Sequence, residues 1–303
     1  MKEFADPRFG QQEKVNAYFR SQSLFWKDLY ASSGVYAEIH RDRHAAVFDW
    51  IDGLALAPGS QVLEIGCGAG FMAVALAQRG LCVHAVDSTE AMVDLARQHA
   101  AESGTADLLS VDVGDVYALP FEDESFDLVF ALGVIPWLEQ PELAMQEMAR
   151  VTRPGGYVIL TADNRMRLIN LVDPWLNPLL LPLKRRVKEA LYRTGLRRQS
   201  LKDMGAISHD PPFIDQALAG VGLVKTSSMT LGFGPFSLFR RTILPESFGI
   251  ALHHRLQHLA DRNFPALRSA GAHYLVLARK SASQPLVLST SGAEPVSDTA
   301  RAL

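Results

Sequence analysis

The sequence predicts an α/β fold: a mostly parallel sheet with helices on both faces. Short apolar runs at 62–65, 82–86, 108–113, 126–132 and 157–161 alternate with helix-period segments at 71–78, 91–99 and 142–151. Parallel neighbours need crossover connections, so this alternation favours a parallel sheet over hairpins. The first run leads into a glycine-rich turn and the second ends at an acid, Asp87, which places a ligand cradle at the carboxyl edge of the sheet.

Taken in order, residues 12–30 carry Val15, Tyr18, Phe19, Leu24, Phe25, Trp26, Leu29 and Tyr30 at roughly helical spacing among polar residues. They predict one or two amphipathic helices lying on a larger body. Ser32-Ser33-Gly34 breaks that run, and Val47, Trp50, Ile51 and Leu54 mark one face of a helix ending before Pro58-Gly59. Residues 1–57 are therefore expected to form a helical lid, and residues 58–280 the main domain. Within the main domain, a helix at 213–219 and strands at 223–231 and 273–278 complete the core, with a helix around 252–259 in the insertion between those strands. Two insertions, at about 163–212 and 232–270, interrupt it. The first is apolar and proline-broken (Pro174, Trp175, Pro178, Pro182) and then basic from Lys184 to Arg198. Such a segment caps a site or meets a membrane surface. From Ser281 to Leu303 the composition is too poor in apolar residues to fold, which predicts a disordered tail.

Of the 303 residues, 48% are hydrophobic, enough for a substantial core, and the net charge of −3 gives no general attraction for nucleic acid. Cys67 and Cys82 are the two cysteines, one in the glycine turn and one in an apolar strand, so a disulfide framework is not expected. No signal-peptide pattern opens the sequence, and no apolar run reaches the roughly eighteen residues a spanning helix needs. The expectation is a cytoplasmic protein.

The turn Gly66-Cys67-Gly68-Ala69-Gly70 lets the backbone close on a ligand, and the helix after it offers free N–H groups. Asp87 is placed to bond a ribose diol. In a dinucleotide fingerprint the third glycine comes three positions after the second, whereas Gly70 follows Gly68 by two. Glu64, an acid in the strand leading into the turn, is a poor neighbour for pyrophosphate and a good one for an ammonium group. The ligand expected here carries a cationic amino group and a ribose but no phosphate.

Residues 62–70, Val62-Leu63-Glu64-Ile65-Gly66-Cys67-Gly68-Ala69-Gly70, resemble the first motif of class I S-adenosylmethionine-dependent methyltransferases. The resemblance continues through Asp87-Ser88-Thr89-Glu90-Ala91-Met92, Gly114-Asp115-Val116-Tyr117-Ala118-Leu119-Pro120-Phe121, Phe126-Asp127-Leu128-Val129 and Arg153-Pro154-Gly155-Gly156, in that order. It covers roughly residues 60 to 162. It implies a Rossmann-like, seven-stranded sheet and S-adenosyl-L-methionine as cofactor. Glu64, Gly66, Cys67, Gly68 and Gly70 would shape the methionine pocket. Asp87 would hold the ribose, with Ser88 and Met92 near the adenine; Asp115 and Val116 would read the adenine edge, and Ala131 and Leu132 would lie under the sulfonium. Val15-Asn16-Ala17-Tyr18-Phe19 and Phe25-Trp26-Lys27-Asp28-Leu29-Tyr30 are also loosely similar to the N-terminal helices of magnesium-protoporphyrin methyltransferases. That likeness points to a bulky apolar acceptor.

The activity implied is methyl transfer to a small, hydrophobic acceptor (EC 2.1.1.-), with O-methylation favoured over C- or N-methylation of a quinone, a lipid-like molecule or another metabolite. Alignment of the reactants supplies much of the rate, and a general base is needed where a hydroxyl must shed its proton. His40, His44, His209 and Tyr18 are the candidate groups, with His253 and His254 behind them. No metal-ligand spacing stands out. A nucleic-acid acceptor is not expected, because Ala131-Leu132-Gly133-Val134-Ile135-Pro136-Trp137 stands where base-amine methyltransferases carry their proline-rich motif. The basic stretch 184–198 is a candidate for transient contact with a membrane surface. A nicotinamide oxidoreductase and a non-catalytic S-adenosylmethionine-binding protein are the readings from other classes.

Overall fold

Strand β1 (Gln61–Ile65) is the axis of the sheet, flanked by β2 (Cys82–Asp87) on one side and β4 (Phe126–Ala131) on the other, parallel to both. The computed structural model describes residues 7–174, 206–239 and 241–281, together with Leu176, Asn177, Leu180 and Arg186. With β3 (Leu109–Val113), β5 (Thr152–Asn164), β7 (Leu223–Leu231) and β10 (His273–Lys280), the strand order is β3-β2-β1-β4-β5-β10-β7. Strand β10 alone on this path is reversed, antiparallel to both β5 and β7. The fold is thus the mostly parallel, seven-stranded Rossmann-like sheet the sequence implied. A two-residue strand, β6 (Ser208–His209), is added beside β5, and a small hairpin pairs β8 (Ser237–Leu238) with β9 (Arg241–Thr242).

The alternation of β1 side chains between two cores explains why Val62, Leu63 and Ile65 are all apolar. Leu63 and Ile65 face one core, with the fully buried Met145 and Met148 of α6 (Pro141–Val151) and Ile214 and Leu218 of α8 (Pro211–Gly220). Val62 faces the other, with Met72 and Leu76 of α4 (Phe71–Ala77), Val93 and Ala96 of α5 (Glu90–Glu102), and Val47 and Ile51 of α3 (Val35–Gly53). Burying each such side chain contributes about 1.5–3 kcal/mol, so the central strand is held from both sides. The turn expected at 153–156 is a bulge inside a longer β5. Phe126 pairs with Thr152 and Leu128 with Tyr157, leaving Arg153-Pro154-Gly155-Gly156 opposite a single residue of β4.

The chain runs from β1 to β2 and β3 on one side and then crosses to β4 on the other, which leaves a crevice above the carboxyl ends of β1 and β4. Over it lie α1 (Pro7–Ser21), α2 (Ser23–Asp28), a 3-10 turn (Leu29–Ala31) and α3. Within the second insertion, α9 (Glu246–Asp261) is twice as long as the segment expected at 252–259. Its Gly249 lets it cross α3 closely, since a Cβ there would lie 2.6 Å from Val35. Among the described residues the first insertion contributes the short α7 (Leu168–Val172) and the strand β6. Trp175, Pro178, Pro182, the basic stretch 184–198 apart from Arg186, and the tail from residue 282 onward lie outside the described residues. Among those described, no helix is long and apolar enough to cross a membrane.

Candidate active site

A cavity of about 420 Å³ opens in this crevice, between the sheet edge and the N-terminal helices. The backbone of the glycine turn bends over the end of β1 with Gly66, Gly68 and Gly70 at φ +70°, +53° and +77°. A Cβ on Gly66 would stand 2.4 Å from the Val134 side chain, so glycine is required for close approach as well as for conformation. The N–H groups of Gly66 and Cys67 both donate to the Val86 carbonyl, tying the turn to β2.

Glu64 lies under this turn, 4% exposed, and its Oε2 has no hydrogen-bond partner. Burial, helped by the charge of Asp87 and opposed by the Ala73 N–H, pushes its carboxyl up to about 8. An orphaned buried carboxylate oxygen is costly unless a ligand donor completes it, and a cationic group does so best. Asp87 is held open at the end of β2: its two oxygens accept from Gly68 N–H at 3.0 Å and Thr89 N–H at 2.8 Å. Burial raises its pKa too, against those two bonds. The pair fits a ligand with a cation at one end and a diol further along.

Of the residues expected to hold the cofactor, Glu64, Gly66, Cys67, Gly68, Asp87, Ser88, Met92, Asp115, Val116 and Leu132 line this one cavity. Gly70 and Ala131 do not. Gly70 faces α5, where a Cβ would meet that of Ala96 at 2.9 Å, so it serves helix packing. Ala131 is fully buried in the core beneath the cavity floor. The Cys67 thiol is pushed well up by burial, then by Glu64 and Asp87, which keeps it protonated and inert.

Helix α1 closes the cavity beside Ser88. Gln12 Nε2 donates to Ser88 Oγ at 3.0 Å, and Asn16 Nδ2 donates to the Ser88 carbonyl at 3.0 Å. Tyr18 stacks on Trp137 with centroids 5.4 Å apart, and Phe19 meets the same ring edge-on at 5.1 Å. Gln12, Asn16 and Trp137 carry no local sequence signal for this role, because the contact joins elements far apart in the chain.

The other half of the cavity is lined by Tyr36, His40, Arg43, His44, Asp163, Arg167 and His273. His40 donates from Nδ1 to the Tyr36 carbonyl at 2.9 Å, and burial, with the Arg43 charge next, pushes its pKa down to about 2. His44 Nε2 is taken by the Tyr30 hydroxyl at 2.8 Å, and burial lowers it to about 3. Moving a proton from a phenol at about 10 to a base at about 2 is uphill by roughly 11 kcal/mol, which makes His40 a poor base. His209 is absent from the lining; its ring stacks on Phe213 at 5.0 Å. Tyr18 does line the cavity.

A histidine that sequence reasoning passed over has a different setting. His273, at the start of β10, sits opposite Asp163 in the antiparallel register, and its Nδ1 lies 3.2 Å from Asp163 Oδ1. Burial lowers the imidazole, and the Asp163 bond and charge oppose that shift. Burial also pushes the Asp163 carboxyl up, but His273, Arg167 and Arg43 together bring it below its ordinary value. A carboxylate on Nδ1 fixes the tautomer and leaves Nε2 as the basic nitrogen. No local pattern marks this pair; strand pairing alone brings it together.

Asp42, His253 and His254 form the grouping of metal-ligand type among the described residues. His253 Nδ1 accepts from the Phe233 N–H at 3.1 Å, so Nε2 carries the proton and donates to Asp42 at 2.8 Å. With both ring nitrogens engaged, His253 ties α9 to α3 and has no lone pair left for an ion.

Residues 63–160 match the family model described as a methyltransferase domain. The chain is 36% identical over 150 residues to a ubiquinone biosynthesis O-methyltransferase of Paracidovorax citrulli, a match covering 49% of this chain and 61% of that protein. It is 34% identical over 118 residues to a malonyl-acyl-carrier-protein O-methyltransferase of Serratia marcescens, covering 39% and 44%. The chain thus spans between 44% and 61% of the length of these relatives. Its fold resembles the crystal structure of magnesium protoporphyrin IX methyltransferase from Synechocystis with bound SAH, with a TM-score of 0.60 and 18% identity over 89% of this chain and all of that one.

Proposed function

We propose, from the premise that this chain carries a class I methyltransferase domain over residues 63–160, that it transfers a methyl group from S-adenosylmethionine to a hydroxyl of a small, largely apolar acceptor. The observation that carries this reading is one cavity with two chemically different halves: an orphaned Glu64 and an open Asp87 at one end, and a His273–Asp163 pair at the other. The names of the two curated O-methyltransferases support oxygen as the methylated atom.

When bound, S-adenosylmethionine supplies an electrophilic methyl on a sulfonium. Glu64 offsets the positive charge of its amino-acid end, and Asp87 accepts from the ribose hydroxyls. The Gly66–Gly68 backbone closes on the methionine portion, with Ser88, Met92, Asp115 and Val116 around the adenine. Helix α1, latched to Ser88 through Gln12 and Asn16, acts as a lid that excludes water. His273 Nε2 takes the acceptor's hydroxyl proton as the new C–O bond forms, and Asp163 stabilises the resulting imidazolium. Tyr18, Trp26, Tyr36 and Trp137 give the acceptor an aromatic wall, and holding the reactants in line accounts for much of the acceleration. Asp163, Arg167 and Ala206 of the first insertion and Gly234 and Pro235 of the second add the cap side of the acceptor's wall.

Calorimetry should show that S-adenosylhomocysteine binds, and incubation with methyl-labelled S-adenosylmethionine and a metabolite extract should yield a labelled methyl ether. His273→Ala should cut turnover by about 10²–10⁴ while leaving S-adenosylhomocysteine affinity intact. Binding without any S-adenosylhomocysteine production from any extract would refute catalysis, and unchanged turnover in the variant would remove His273 from the mechanism.

A further inference from the structure

Two neighbouring imidazoles on the cavity wall, His40 and His273, each keep a lone pair on Nε2. His40 is 3% exposed, and its Nδ1 lies 2.9 Å from the Tyr36 carbonyl, one turn back on α3. A carbonyl only accepts, so Nδ1 carries the single proton of this neutral ring and Nε2 stays an acceptor. In His273 the Asp163 carboxylate on Nδ1 fixes the same tautomer. The rings have centroids 5.8 Å apart with planes at 74°, and both residues line the cavity. Neither Nε2 has a hydrogen-bond partner among the described residues, whereas that of His44 is taken by the Tyr30 hydroxyl. A buried acceptor without a donor is costly, and a ligand O–H or N–H completes it.

Strand order says which ligand supplies those donors. Glu64 lies in β1 and Asp87 ends β2, so a cofactor held by both extends from β1 toward the β3 edge of the sheet. His273 opens β10, three strands from β1 in the opposite direction, about 14 Å at the usual spacing of neighbouring strands. Helix α3 brings His40 to the same end: Ile39 packs on Gly232, just past β7, where a Cβ would lie 2.6 Å away. The two rings also differ in what they do to a hydroxyl. His273 has a carboxylate behind it and takes a proton. His40 has a neutral carbonyl behind it and is held neutral down to about 2, so it accepts a hydrogen bond and leaves the proton in place.

We propose that His40 determines specificity by receiving a second O–H or N–H donor of the methyl acceptor, while His273 deprotonates the hydroxyl that is methylated. This rests on the cavity being the methyl-transfer site and narrows the acceptor to an apolar molecule with two hydrogen-bond donors. As the C–O bond forms and the C–S bond breaks, one proton passes to His273 Nε2, and the group on His40 keeps its own. A singly methylated product turned the other way round would set an ether oxygen, which has no hydrogen to give, against His40 Nε2. Transfer therefore stops after one methyl group.

The test is calorimetry on wild type, His40→Phe and His40→Gln, each saturated with S-adenosylhomocysteine. The probes are phenol and three spacings of two hydroxyls: catechol, resorcinol and hydroquinone. Wild type should bind at least one diol about tenfold tighter than phenol, and the monomethyl ether of that diol no better than phenol. His40→Phe keeps a ring and removes the acceptor nitrogen, so the preference should vanish. His40→Gln restores an acceptor oxygen at similar reach and should recover part of it, a rescue that a merely structural role would not produce. S-adenosylhomocysteine affinity should stay within about threefold of wild type in both variants. No diol preferred over phenol by wild type, whether all bind alike or none binds, would overturn the proposal, and so would a preference that survives in His40→Phe. The wild-type comparison needs no variant to fold. Failure of wild type to bind S-adenosylhomocysteine would strike instead at the reading of the cavity.

Discussion

Glu64 makes this protein's stability depend on pH in an unusual direction. Its carboxyl has an ordinary value of 4.5 and is pushed up to about 8 in the folded chain, so between those limits the folded state holds a proton that the unfolded chain has released. The contribution is fully present below pH 4.5 and is lost as pH rises through the folded value, at about 1.4 kcal/mol per pH unit and about 5 kcal/mol in all. Glu64→Gln keeps the shape and removes the titration. Urea unfolding across pH 5 to 8 should therefore show the wild type losing stability relative to the variant along this slope. An ammonium group arriving beside Glu64 should also drive its proton off. Calorimetry with S-adenosylhomocysteine at pH 7, in buffers of different ionisation enthalpy, should detect release of close to one proton, which disappears in the variant. Parallel pH–stability curves for the two proteins, together with no proton release, would refute the assignment of a protonated Glu64 waiting for a cation.

Two further outcomes test how the site is built. Gly70→Ala forces a left-handed residue and drives a methyl to 2.9 Å from Ala96, so denaturant unfolding should show a loss of about 2–4 kcal/mol. Asn164, fully buried at the end of β5, donates to the carbonyls of Ser269 and Gly271 at 2.8 Å each and accepts from the Met166 N–H at 3.0 Å. Asn164→Ala strands those groups just ahead of His273, and should cost about 2–5 kcal/mol of stability and lower turnover more than it lowers S-adenosylhomocysteine affinity.

The cofactor half was legible because its chemistry is written in contiguous residues. A strand, a glycine turn and an acid at the end of the next strand carry their geometry with them, so Glu64, Gly66, Gly68 and Asp87, read together from the sequence, line one cavity. Gly70 reads the same way but relieves crowding against α5, and Ala131, which only the resemblance implied, is buried in the core. The acceptor half was not legible. Candidate bases were chosen there by residue type, and burial disables two of them: His40 and His44 are held neutral at about 2 and 3.

By itself the sequence determined the alternation of strands and helices, the parallel sheet with its crevice above β1 and β4, and the class of ligand the glycine turn admits. These are local consequences of hydrophobic period, backbone freedom at glycine and the need for crossovers. Tertiary structure alone decided which histidine faces a carboxylate, which helix closes over Ser88, and that the Arg43 guanidinium reaches the cavity wall. Each of those depends on strand register or helix docking between segments far apart in the chain, and burial, which sets their charge states, exists only once the segments have met.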